Sequence, residues 1–360
     1  MKIVFIIFII LITINVNGQF PAVTIPGSEI RTITSNEVPG QIYELQILLP
    51  GGYKNSNKKY PVVYLMDSQW DFPLVKSIYG QQYYDGFIPE LILVGITWGG
   101  SKPNADSLRA RDYTPTKEKR LAQSGGVDGF LSFMKNEAFR FIENNYKADN
   151  NNRTIMGCSL GGLIVMYAMF THTEMFDGYV AASPAIGWDN EVLYKYEKEF
   201  AKKIPQRPVR LYLTVGDVES SRTIFEKMSA YLGEQQYKNV VIKSKVLENT
   251  GHSGTKTETF SRGLQFVFQR PDLAVDVSEL KKFTGNYILP DGRRAEIVIS
   301  DNKLRLNNSS GGSYRLNAAT ENNFYSTSEF LNIKFKLSSG KVEGFELDRY
   351  GSTQFVSKEN

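Results

Sequence analysis

The chain has 360 residues, of which 41% are hydrophobic and 22% charged, with a formal charge of +4. That length accommodates two domains and a large buried core. With no dense Lys/Arg block (Lys117–Arg120 is short and reads as a solvated face), nucleic acid is not an expected partner.

The first residues carry Lys2, an apolar run from Ile3 to Ile14 and a small, polar exit at Asn17–Gly18. The run is short for a span of about 20 residues, so 1–18 reads as a signal peptide cut near Gly18–Gln19. A secreted or periplasmic protein with no membrane partner after cleavage follows. Cys158 is the one cysteine, so no internal disulfide is available, and its place at a buried strand end predicts core packing.

From 41 onward, short apolar runs alternate with helical patterns. The runs 61–67, 91–97, 153–159, 178–184 and 209–216 read as buried strands of a mainly parallel sheet. Segment 41–49 alternates and suits a half-buried edge strand, and 240–248 adds one more. Helical spacing marks 127–146 and the segments near 160–170, 191–203, 221–234 and 257–269. The predicted architecture over 19–270 is therefore α/β, a mainly parallel sheet flanked by helices. Residues 271–279 read as a linker, with Pro271 as a helix stop. From 280 to 360, short alternating runs separated by Gly, Asn and Ser predict a small antiparallel all-β module, separable from the rest.

Within 153–170, a buried strand meets Gly157-Cys158-Ser159-Leu160-Gly161-Gly162 and then an apolar helix. This fits G-x-S-x-G in the strand–turn–helix context of an α/β-hydrolase nucleophile elbow. Ser159 is the candidate nucleophile, and the Leu160 N–H at the helix start is a candidate oxyanion donor. A serine needs a base, and the chain has two histidines. His172 falls at the far end of the elbow helix. His252 follows a strand and precedes the last helix, where parallel-sheet sites assemble. The acid lies between serine and histidine in chain order, and the loop after 209–216 offers Asp217 and Glu219. Both stand at the same strand end, so position alone does not choose; Glu219 has the longer reach. The second oxyanion donor is placed by position at the backbone N–H of Gln69 or Ser68, in a loop expected after 61–67. Trp70 and Trp188 are candidate pocket walls. Two separated histidines and one cysteine form no zinc pattern, so neither metal nor cofactor is expected.

The segments "YPVVYLMDSQWDF", "ARDYTPT", "GGVDGFLSFMKNEAFRFIENNY", "RTIMGCSLGG", "MFDGYVAASPAIGW", "VGDVE" and "GHSG", in that order, resemble the esterase D-like family of α/β hydrolases. That group includes enterochelin, feruloyl and S-formylglutathione esterases. The resemblance implies a serine carboxylic-ester hydrolase with Ser159 as nucleophile, His252 as base and an acid that suits Glu219. It also implies a small-molecule ester substrate, such as a siderophore or a carbohydrate-linked acyl or aryl ester. The tail resembles a lipocalin-like β module. An acyltransferase on the same triad, or a non-catalytic binding module, are the competing readings.

Overall fold

The computed structural model describes residues 24–359, so the expected signal peptide and its cleavage point lie outside the described residues. Strands β1 (Ser28–Thr34), β2 (Ile42–Leu48), β3 (Tyr60–Leu65), β4 (Ile92–Trp98), β5 (Ala148–Cys158), β6 (Gly178–Ala182), β7 (Val209–Gly216) and β8 (Val240–Leu247) form one sheet. Their spatial order is β1-β2-β4-β3-β5-β6-β7-β8. The β1–β2 and β2–β4 pairs are antiparallel, and every pair from β4 through β3 to β8 is parallel. All carboxyl ends of the parallel strands thus meet at one rim, which is where the candidate site lies.

The helices are α1 (Ser68–Tyr84), α2 (Ala105–Asp112), α3 (Val127–Phe133), α4 (Phe139–Asn145), α5 (Leu160–Thr171), α6 (Leu193–Phe200), α7 (Arg222–Glu234) and α8 (Thr255–Val267). A π-helical turn, Met134–Ala138, makes α3 and α4 continuous, in agreement with the periodicity of 127–146. Successive side chains of β3 alternate between two cores, as strand geometry requires. Val63 and Leu65 pack with Phe72 and Val75 of α1 and with Phe260 and Leu264 of α8. Tyr64 belongs to the other core, with Phe130 and Phe133 of α3, Leu163 of α5, Leu193 of α6 and Phe225 of α7, and its ring meets Phe139 of α4 at 4.7 Å. Helix α5 is buried from Gly161 to Phe170, which explains why its sequence is apolar on every face.

Three helices and a strand lie outside the predicted elements: α1, α2, a short helix over Val277–Leu280 at the end of the expected linker, and β1. Strand β1 covers β2, so 41–49 is not an edge strand. The loop expected after β3 is instead almost absent. Asp67 takes a left-handed conformation (φ 55°), and α1 starts at the next residue, so Ser68, Gln69 and Trp70 stand in a helical first turn.

A second sheet holds β9 (Gly285–Ile288), β10 (Arg294–Ser300), β11 (Lys303–Asn308), β12 (Ser313–Arg315), β13 (Asn317–Ala318), β14 (Asn323–Ser326), β15 (Leu331–Ser338), β16 (Lys341–Arg349) and β17 (Ser352–Lys358). It is antiparallel throughout, in the order β12-β11-β10-β9-β17-β16-β15-β14-β13. The edge strands β12 and β13 follow one another in the chain through Leu316, so the sheet curls back on itself like a barrel. One short helix, α9 (Val277–Leu280), and the 3₁₀ turn after it insert Leu280 and Phe283 into this core, with Phe283 stacked on Phe335 at 4.2 Å.

The module is seated against the end of α1. The Phe330 N–H donates to Tyr84 O at 2.9 Å, Tyr84 stacks on Tyr350 at 5.3 Å, and Tyr83 meets Phe330 at 4.6 Å. Arg270 is sandwiched in the seam, 3.7 Å from the Tyr325 ring, and donates to Gly86 O at 2.9 Å. Helix α1 runs from the site rim to this seam, and its 17 residues separate the two by about 25 Å.

Candidate active site

Strand β5 ends at Cys158, helix α5 begins at Leu160, and Ser159 alone makes the turn between them, at φ 61° and ψ −117°. An L-residue held there stores strain of roughly 1–3 kcal/mol, so its surroundings must fix it. They do. The Ser159 N–H donates to Ala182 O at 3.0 Å, and Ser159 O accepts from Leu163 N at 2.9 Å and Ala185 N at 3.1 Å. A β-carbon on Gly157 would lie 2.7 Å from the Gly161 backbone, and one on Gly162 would lie 2.9 Å from Pro184 Cα. The glycines of the motif are thus required by close approach of strand, helix and the loop after β6. Ser159 is half-buried, while Cys158 beside it is 3% exposed and its thiol is pushed up to about 12 by burial. A thiol held protonated in the core is a poor nucleophile.

Glu219 and His252 meet at the same rim. His252 Nδ1 and Glu219 Oε2 are 2.7 Å apart. A carboxylate only accepts, so the proton sits on Nδ1 and leaves Nε2 free to act as a base. The second carboxylate oxygen, Oε1, accepts from Ser183 Oγ at 2.6 Å and from the Gly216 N–H at 2.7 Å. Burial pulls the Glu219 carboxyl upward, but the bonds from Ser183, Gly216 and His252 outweigh it and hold the group below the ordinary glutamate value. The side chain of Glu219 is 6% exposed and that of His252 is 51% exposed, so the carboxylate is shielded while the imidazole faces solvent.

Asp217 stands elsewhere. Its Oδ1 accepts the Thr250 N–H at 3.1 Å and its own N–H donates to Leu247 O, so it ties the acid loop to the histidine loop from the solvent side. Backbone bonds from Asn249 and Thr250 hold its carboxyl below the ordinary aspartate value. His172 caps the far end of α5, beside Thr171 Oγ1 at 2.7 Å, about 18 Å of helix away from Ser159.

Ser159, Ser183, Pro184, Ala185, Val218, Glu219 and His252 line one open cleft. The Leu160 N–H lies in the first turn of α5, and those of Ser68 and Gln69 in the first turn of α1; such groups have no partner within their own helix. Trp70 is 50% exposed beside this rim. Trp188 packs against the larger core and its Nε1 donates to Thr116 Oγ1 at 3.0 Å, and it is not among the residues lining the cleft.

One charged group beside the elbow is absent from the candidates named from sequence. Arg109 of α2 grips Asp67 with two bonds, Nε to Oδ1 at 3.0 Å and Nη2 to Oδ2 at 2.7 Å. Asp67 in turn abuts the elbow, since a β-carbon on Gly161 would lie 3.1 Å from its Oδ2. Burial works against the charge of Arg109, and its bonds to Asp67 more than offset that. The guanidinium also lies 5.6 Å from the Trp70 ring. An Arg109–Asp67 ion pair is therefore fixed next to the Ser159 turn, with the Asp67 carboxylate against it. The hint in the sequence was an aspartate directly at the end of a buried strand, where a charge needs a partner.

The model of the family described as "Putative esterase" matches residues 35–255. The chain belongs to this esterase family. It is 29% identical over 281 residues to ferri-bacillibactin esterase BesA of Bacillus subtilis, covering 71% of this chain and 94% of that protein. A siderophore triacetylfusarinine C esterase of Aspergillus fumigatus is 25% identical over 186 residues, covering 50% of this chain and 63% of that one. Among solved structures, the BES protein of Bacillus cereus shares the fold with a TM-score of 0.63 at 23% identity, over 70% of this chain and 99% of that one. An IroE-like serine hydrolase from Shewanella oneidensis shares it with a TM-score of 0.61 at 23% identity, over 71% and 84% respectively. The protein is accordingly a carboxylic-ester hydrolase, built on an α/β-hydrolase fold with an added antiparallel module.

Proposed function

We propose that this esterase cleaves siderophore esters through an acyl-enzyme, with Ser159 as nucleophile, His252 as base and Glu219 as the acid. The observation that carries the reading is the 2.7 Å contact between Glu219 and His252 at the rim of the cleft that Ser159 lines. Ser159 Oγ attacks the ester carbonyl carbon as its proton passes to His252 Nε2. The tetrahedral oxyanion collapses, the bond from carbon to the alcohol oxygen breaks, and that oxygen takes the proton from His252. A water molecule then repeats the sequence, and the acid leaves as Ser159 recovers its proton. The exposed face of His252 admits that water, which favours hydrolysis over transfer to another acceptor.

The oxyanion meets the Leu160 N–H and the N–H of Ser68 or Gln69, both at helix starts where the dipole is positive. Arg109, bound to both oxygens of Asp67, holds the start of α1 against the same turn. Siderophore esters as substrates are supported by the names of the relatives above, and export by the apolar segment at 3–14. Ferri-bacillibactin, a feruloyl sugar ester and p-nitrophenyl acetate offered to the purified protein test the reading. The highest kcat/KM is expected for ferri-bacillibactin. A higher value for either other ester would overturn the substrate class and leave the triad standing.

A further inference from the structure

Four buried hydroxyl groups stack behind the acid and the histidine. Ser183, at the end of β6, is 3% exposed, and Thr214 of β7 and Thr255 and Thr259 of α8 are 0% exposed. Ser183 Oγ lies 2.6 Å from Glu219 Oε1 and 2.9 Å from Thr255 Oγ1, and Thr255 Oγ1 lies 2.7 Å from the main-chain oxygen of His252. Thr259 Oγ1 donates to Thr255 O at 2.6 Å and meets Thr214 Oγ1 at 2.5 Å, while the Ser183 N–H donates to Thr214 O at 2.8 Å. Ser183 itself is held in the left-handed region, at φ 40°.

The hydroxyl protons of this stack are fewer than its contacts. Ser183 and Thr255 have one hydroxyl proton each but share three contacts. The ionised Glu219 takes the Ser183 proton, since a charged acceptor makes the stronger bond. The Thr255 proton then points either to His252 O or to Ser183 Oγ, and rotation about one C–O bond exchanges the two. One orientation anchors the histidine main chain. The other completes a chain from Thr255 through Ser183 to Glu219, in which each bond polarises the next.

We infer that Ser183 and Thr255 are positioning residues of this esterase, a hydroxyl pair that locks the Glu219 carboxylate and the His252 main chain in one register before charge develops on the imidazole. The inference rests on the triad reading, because Ser183 and Thr255 act through Glu219 and His252 and touch no reacting atom. Their removal is local: Lys256 Nζ on Asp71 at 2.8 Å and Thr259 on Thr214 still seat the start of α8.

The test compares Thr255→Val, Thr255→Ser, Ser183→Ala and the double variant Ser183→Ala/Thr255→Val, all well below their melting temperatures. Hydrolysis of p-nitrophenyl acetate and the rate of labelling by a fluorophosphonate are measured. Thr255→Val and Ser183→Ala are expected to lower kcat and labelling by about tenfold with KM within about twofold, while Thr255→Ser stays within about twofold of wild type. The double variant should be little slower than either single one, as for groups acting together. Wild-type labelling rates in both single variants, or a Thr255→Ser as slow as Thr255→Val, would overturn the inference. A wild-type protein that does not label at Ser159 would instead overturn the triad reading on which it rests.

Discussion

Gly216 and Thr250 touch so closely that a β-carbon on Gly216 would lie 1.9 Å from the Thr250 carbonyl oxygen. Gly216 ends β7 and leads to the acid; Thr250 lies two residues before the base. The approach of these two main chains sets the distance between Glu219 and His252, and the Gly216 N–H bonds the acid directly. Gly216→Ala should therefore push the loops apart and lower kcat by about a hundredfold or more, with a measurable fall in Tm. Steady-state kinetics and thermal melts of the variant check this; unchanged kcat would show that the pair does not depend on that contact.

The two acids of the same loop should separate cleanly. Glu219→Gln leaves His252 Nδ1 facing an amide that can present the wrong group, and a loss of about 10²–10⁴ in kcat is expected. Asp217→Asn weakens only a bond between loops, and kcat should stay within about threefold of wild type. Kinetics of the two variants at matched folded fraction decide it, and a larger loss for Asp217→Asn reverses the assignment.

Stability should also report the acid. Glu219 titrates lower in the folded protein than the ordinary value of 4.5, so its contribution is fully present above that value. It is lost as pH falls through the lowered folded value. Urea unfolding between about pH 3 and pH 7 should therefore show a shallower acid dependence for Glu219→Gln than for wild type.

The β module should affect stability and not turnover. Arg270, whose guanidinium is pulled down to about 10 by burial, bridges the seam to Asn332 and Gly86 at the far end of α1. Arg270→Ala is expected to lower Tm by about 4 °C while kcat/KM for p-nitrophenyl acetate stays within about twofold. A large loss of turnover at unchanged Tm would mean that the module reaches the site.

Much of the parallel sheet was legible, because buried strands such as β3 and β7 are apolar on both faces and helices such as α7 and α8 carry a clear period. The strand–glycine–serine–helix pattern pointed to Ser159, and a chain with only two histidines left few choices for a base. Helix α1 was hidden because the left-handed Asp67 joins it to β3 with no loop, and Pro73 lies inside it. Arg109 was hidden because its partner Asp67 is 42 residues away, a pairing that only the fold creates. Asp217 and Glu219 were hard to separate because both follow the same strand, and what distinguishes them is the set of donors converging on Glu219. The seam with Tyr84 and Phe330 left no periodic trace, since it is made by single aromatic residues at the ends of elements.

Covalent capture by a fluorophosphonate, followed by mass spectrometry of the modified peptide, tests the central claim most directly. One equivalent of label on Ser159 is predicted, with labelling abolished in Ser159→Ala, strongly slowed in Glu219→Gln and retained in Cys158→Ala. Stoichiometric label on any other residue, or ester turnover by Ser159→Ala near the wild-type rate, would contradict it.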